Sequence, residues 1–232
     1  MKTITFIILL LSTMVISCSS ENKEEKISKS YSASNVTETS TDESLPKEKI
    51  KVDLKTPEPI ANPNFRKVKW GMSKDEVKSR ENAGSIIHDK DNTLGYDDVT
   101  VAGLNTYVAY LFVDDKLYRA VYIFDERYVN NYKYIADYNT LKDILTSKYG
   151  APNEDKKTWL DDSRYYKDKP GKAVAYGKLI YYAVWTADNT KISLSLVGEN
   201  YDPKLRIEYD TTDPKLSELV EKMKQQKNEA DF

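Results

Sequence analysis

The chain has 232 residues and nearly balanced charge, 35 Lys and Arg against 37 Asp and Glu. Its single cysteine and single histidine exclude a disulfide framework and a cysteine zinc site, and argue against ordinary zinc or copper centres. No basic stripe accompanies the aromatic residues, which argues against a nucleic-acid partner.

Met1 and Lys2 form a minimal positive start. Thr3 to Ile16 is almost wholly apolar, with Phe6-Ile7-Ile8-Leu9-Leu10-Leu11 at its centre. That run is shorter than the ~20 residues a spanning helix needs. It has the length of a secretory h-region that ends at small residues. Val15-Ile16-Ser17-Cys18 resembles the bacterial lipobox. The resemblance implies a lipoprotein signal peptide over residues 1–17 and a mature N-terminus at Cys18. Diacylglyceryl and N-acyl groups on Cys18 would tie the protein to a membrane, and two or more chains anchor stably where one is marginal. Ser19 is not an aspartate; by similarity to enteric lipoproteins that permits transfer to an outer membrane or the cell surface, if the organism has an outer membrane.

Residues 18–62 read as the lipid anchor and a disordered tether. Ser20 to Lys26 is charged, Ser30 to Ser44 is mostly Ser, Thr, Asn and Glu, and Pro46, Pro57 and Pro59 punctuate the rest. Such a composition buries too little to offset its ordering entropy. As a coil it spans on the order of 35–40 Å r.m.s..

Residues 63–232 read as one α+β domain. Ser73 and Glu76 make a capping box, and Met72 and Val77 a hydrophobic staple, so a helix is expected over roughly Lys74 to Asn82, ended by Ala83-Gly84. Trp70, just outside it, reads as a core anchor. Strands follow at Asp98 to Ala102, Tyr107 to Val113 and Leu117 to Phe124, with Asp114-Asp115-Lys116 as a turn. Tyr134, Tyr138, Leu141 and Leu145 recur at helical spacing over Tyr132 to Tyr149, stopped by Gly150 and Pro152. Four more strands are expected, at Lys157 to Leu160, Gly177 to Thr186, Lys191 to Val197 and Leu205 to Tyr209. Asp213 and Pro214 then open a closing helix.

The expected architecture is helices packed on antiparallel meander sheets. The order suggests two helix-plus-meander repeats, 63–127 and 128–212, with a C-terminal helix at 214–227. Trp70-Gly71-Met72-Ser73-Lys74-Asp75-Glu76-Val77 is similar to the helix opening of the BamE/SmpA-like lipoproteins. Those assist assembly of outer-membrane β-barrels. A duplicated unit of this kind resembles the β-lactamase-inhibitor-protein fold, in which two units present a concave sheet to a partner. The resemblance implies a partner-binding role in the envelope and transfers no contact residues.

The residues offer little chemistry. His88 falls in a polar stretch and reads as a solvated loop residue. Asp89, Asp91, Thr93 and Asp97 have the odd spacing of a calcium loop, but Gly95 comes one place late and the closing glutamate is missing. An acidic turn is the expected reading of Asp89 to Asp98, with calcium as the alternative. No catalytic residue, metal ligand or cofactor is assigned. The distinctive feature is tyrosine, present 18 times. Tyrosine combines contact area with a polar tip and is enriched at interfaces. The Arg164 to Gly177 loop, with Tyr165 and Tyr166, is the leading contact candidate. Tyr181 and Tyr182 are the others, and on a strand they should point to opposite faces.

These features lead to the expectation of a non-enzymatic, lipid-anchored module that binds another envelope protein. Glycan or peptidoglycan binding is the alternative, and a hydrolase the more distant one. A flat or concave apolar patch would favour protein. Parallel rings flanked by carboxylates would favour sugar.

Overall fold

The structure, a computed structural model, describes residues 64–82, 84–160 and 164–230. The signal peptide, Cys18 and the tether lie outside the described residues. The sheet dominates: eight strands form one antiparallel sheet in the order β1-β2-β3-β4-β8-β7-β6-β5. The first four are β1 (Ile86–Lys90), β2 (Thr93–Val101), β3 (Leu104–Val113) and β4 (Lys116–Phe124). The chain then crosses by a helix to the far edge and returns through β5 (Glu154–Trp159), β6 (Leu179–Ala187), β7 (Thr190–Glu199) and β8 (Asp202–Thr211). The two runs meet where Ala120 pairs with Tyr209 and Tyr122 with Ile207.

Alternation sorts the side chains of this sheet. Val108 and Tyr110 on β3, Ala120 on β4, Ile207 and Tyr209 on β8, and Leu194 on β7 form one buried face. Helices α1 (Lys74–Arg80), α2 (Tyr132–Tyr149) and α3 (Pro170–Ala175) contribute to that core. Helix α4 (Pro214–Ala230) lies on the opposite face, where Val220 stands with Arg119 and Asp210.

The local signals around α1 are realised. Ser73 Oγ accepts from the Glu76 amide at 3.3 Å, and the Glu76 carboxylate accepts the Ser73 N–H at 2.8 Å. Trp70 is an anchor: its Nε1–H donates to Thr190 Oγ1 at 2.9 Å. One arrangement had no sequence signal. Glu81, just beyond α1, is buried and takes Arg66 in a forked pair at 2.8 and 3.2 Å, while the Tyr110 hydroxyl donates to it as well.

Three expectations need correction. The stretch Asp89 to Asp98 is not a loop: β1 and β2 run through it and only Asp91-Asn92 turns. Its acidic and polar residues sit near the sheet edge, where a strand needs few apolar side chains. His88 is accordingly a strand residue opposite Gly95. Within the proposed contact loop, Pro170–Ala175 forms α3 and buries Ala173, Val174 and Ala175. Helix α1 stops at Arg80, two residues short of expectation, because Glu81 turns extended to reach Arg66.

Candidate functional site

The two strand runs differ most in their first connection. Between β1 and β2 the chain turns in two residues, Asp91-Asn92. Between β5 and β6 it takes a long excursion that includes a 3-10 turn, Arg164–Tyr166, and α3. Function tends to be carried by such additions to a rigid scaffold.

Glycines seat α3. A Cβ on Gly198 of β7 would lie 1.9 Å from the Val174 carbonyl oxygen, and one on Gly171 would lie 2.8 Å from the Tyr132 backbone nitrogen. Only glycine lets α3 approach both β7 and the start of α2 so closely. This seating brings Tyr176, just after α3, against the β7–β8 turn.

The result is a line of tyrosines. Tyr165 and Tyr166 are 5.0 Å apart between ring centroids, Tyr166 and Tyr176 5.6 Å, and Tyr176 and Tyr201 4.9 Å. The outer contacts are edge-to-face, at 88° and 79°. Tyr165 is 63% exposed, Tyr176 49% and Tyr201 73%. Tyr166 is half-buried and roots the line in the core.

Tyr201 occupies an uncommon backbone conformation. Asn200 and Tyr201 turn the chain between β7 and β8 with φ of +50° and +66°. A two-residue turn with both φ positive favours Asn then Gly. An L side chain there costs about 1–2 kcal/mol. A large, exposed ring at such a position contributes little to the fold.

A cleft of about 330 Å³ adjoins Tyr201 and is lined by Arg127, Tyr128, Tyr134 and Asp202 among others. Asp202 is held by Lys204 at 2.6 Å and Arg127 at 2.9 Å. Burial works against its charge, but these two cations hold its pKa below the ordinary value. The tyrosine hydroxyls near the cleft are engaged internally: Tyr134 donates to the Glu126 carbonyl at 3.1 Å, and Tyr132 to the Asp168 carbonyl at 3.1 Å.

Of the four tyrosines singled out from sequence, Tyr165 and Tyr166 belong to this line. Tyr181 and Tyr182 do not. Tyr181 packs on Tyr138 of α2 at 5.3 Å, and Tyr182 lies on the other face beside Ser193 Oγ at 3.5 Å. Opposite faces were expected; a shared contact surface was not found. Tyr176 falls within the Arg164 to Gly177 stretch but is not singled out there, and sequence reasoning missed Tyr201. For Tyr201 a signal existed, a bulky residue in glycine's place in an Asn-led turn between two alternating strands.

Asp89 pairs with Lys78 at 2.5 Å and Lys74 at 3.4 Å, and among the described residues no group of three or more His, Cys, Asp or Glu converges. The same residues include no helix long and apolar enough to cross a membrane.

No family model matches the chain, and no curated protein or solved structure is significantly similar to it.

Proposed function

We propose that this chain is an exported lipoprotein, anchored through Cys18, whose sheet domain is a non-enzymatic module that binds another protein of the cell envelope. The observation that carries the reading is the exposed line Tyr165–Tyr166–Tyr176–Tyr201, rooted in the core at one ring and strained at another. Rigid aromatic side chains supply contact area at low entropic cost and dominate protein interfaces.

Placement supports it. Asn64 donates to Asn189 Oδ1 at 2.8 Å, so the described chain begins at the β6–β7 turn. Tyr201 stands at the far end of the ten-residue β7, roughly 30 Å away. The tyrosine line thus lies at the end of the sheet opposite Asn64, where the described chain begins. Ring geometry favours protein over glycan, because rings at 88° and 79° present no common plane for stacked sugars.

We also infer that the two helix-plus-meander runs derive from one duplicated unit. Each has a helix followed by four strands, and the last strands of both runs pair at the centre. This supports the resemblance to the duplicated inhibitor fold, with the β5–β6 excursion as the later addition. Ser19 permits an outer-membrane or surface location on the same lipoprotein reading, if the organism has an outer membrane.

The test is photo-crosslinking in intact cells, with p-benzoylphenylalanine in place of Tyr165 or, separately, Tyr201 of the full-length protein. Capture of one envelope protein from both positions, and none from a probe in place of Lys116 at the other end of the sheet, is the expected result. Loss of membrane attachment in Cys18→Ala checks the anchor. Equal capture from all three positions would sink the binding surface.

A further inference from the structure

Three exposed lysines flank the tyrosine line. From Lys167 to Lys172 the chain carries Lys167, Lys169 and Lys172 against Asp168 alone, although the whole chain is at −2. Lys167, Lys169 and Lys172 are exposed and make no ion pair among the described residues. Lys169 Nζ instead lies 4.2 Å from the centre of the Tyr165 ring. Lys172 stands one helical turn before Tyr176, on the same side of α3.

Acids next to Tyr201 are already neutralised. Asp202 is shared by Lys204 and Arg127, and Glu199 faces Arg206 at 3.7 Å. The surface that remains is therefore tyrosine with unpaired positive charge. The lysines are neighbours of Tyr165, Tyr166 and Tyr176 in the sequence, and seating α3 against β7 brings Tyr201 to the same surface.

We infer that the protein bound here presents a carboxylate-rich segment, which lies along Tyr165, Tyr176 and Tyr201 and meets Lys167, Lys169 and Lys172. This rests on the protein-binding reading above and adds the chemistry of the partner. A sugar is disfavoured because the outer ring contacts of the line are edge-to-face, at 88° and 79°, and offer no common stacking plane. A phosphate polyanion is disfavoured because the cations are dispersed lysines around aromatic faces, with no planar guanidinium fork among the three.

The division of labour follows from magnitudes. Exposed lysine–carboxylate pairs add ~0.2–1 kcal/mol each and are screened by salt. Complementary charge instead speeds encounter and rejects wrong partners. The tyrosines hold the complex and the lysines select what reaches them.

The experiment uses the full-length protein in its own cells and two chemistries. Benzophenone in place of Tyr201 reports binding, and a zero-length carbodiimide joins lysine amines only to carboxylates in contact. The expected result is amide links from Lys167, Lys169 or Lys172 to Asp or Glu of the protein that the benzophenone captures. With Lys167→Glu, Lys169→Glu and Lys172→Glu combined, benzophenone capture should fall about tenfold, and the corresponding Arg substitutions should retain it; unchanged thermal melting of each variant checks folding. Undiminished capture in the Glu variant, without carbodiimide links, overturns the acidic partner and leaves the binding surface standing. Capture of glycan, lipid or nucleic acid overturns it too. No capture from Tyr201 in any variant removes the binding reading itself.

Discussion

The indole N–H of Trp70 donates to the hydroxyl of Thr190 at 2.9 Å, joining residues 120 positions apart. Trp70 precedes α1 and Thr190 opens β7, so this bond ties the entrance of the first strand run to the second. Thr190 is buried, and Phe in place of Trp70 would leave its hydroxyl without this donor. Trp70→Phe is expected to destabilise the domain by about 1–2 kcal/mol. Urea unfolding followed by circular dichroism should still show one transition, because the sheet is continuous through β4 and β8.

Glu81 carries a larger effect. Its carboxylate is almost wholly buried and receives Arg66, Tyr110 and the Asn82 amide. Glu81→Gln removes the charge and strands the Arg66 guanidinium. Breaking a buried pair from one side costs about 3–5 kcal/mol. A urea midpoint within experimental error of wild type would show that the pair is incidental.

Tyr201→Gly should move stability and binding in opposite directions. Glycine relieves the positive φ, worth about 1 kcal/mol, and returns part of that through unfolded-chain entropy. A net gain of ~0.5 kcal/mol is expected in thermal unfolding, with capture of the partner from the Tyr165 position strongly reduced. A variant that is both less stable and fully binding would refute the assignment of strain to function.

Gly198 provides the test of how α3 is seated. Gly198→Ala would drive a methyl into the Val174 carbonyl and should cost about 2–3 kcal/mol. Gly103→Ala is the comparison, since its Cβ meets nothing within 4 Å and only the positive φ resists, costing about 1 kcal/mol. Partner capture should fall further in the first than in the second, because displacing α3 separates Tyr176 from Tyr201.

Asp137 predicts a pH effect. Burial is the dominant influence and lifts its carboxyl above the ordinary value, while the Tyr128 hydroxyl pulls the other way. The folded chain thus holds this proton more tightly than the unfolded one. Its contribution is favourable below the ordinary carboxylate pKa and is lost as pH rises through the raised folded value. Oδ2 is buried without a hydrogen-bond partner. Asp137→Asn should therefore stabilise the domain at neutral pH by about 0.5–1 kcal/mol, allowing for partial exposure. The gain should vanish near pH ~3, where the carboxyl is already neutral. Melting temperatures at both values check the sign.

Local physics in the sequence determined much of this protein. Ser73, Glu76, Met72 and Val77 specify the start of α1 through contacts within four residues. Tyr134, Tyr138, Leu141 and Leu145 specify the buried stripe of α2, and alternation specifies β3, β4, β7 and β8. The lipobox-like start through Cys18 is legible for the same reason, being a short contiguous pattern.

Other features needed the folded chain. Strand β1 is not among the expected strands, because its two isoleucines are adjacent and exposed at the sheet edge and show no alternation. Strand β5 is expected only over Lys157 to Leu160 and runs over Glu154–Trp159, because its residues are all exposed and carry little hydrophobic signal. Helix α3 is six residues long and opens with Pro170-Gly171, which alone reads as loop; its helicity depends on burying Ala173 and Val174. The tyrosine line was half visible, because Tyr165 and Tyr166 are adjacent in sequence. Tyr176 and Tyr201 join them only when β7 pairs with β8 and Gly198 admits α3. Tyr176 and Tyr201, 25 positions apart, meet through sheet register and close backbone approach, and neither leaves a mark in the local pattern of residues.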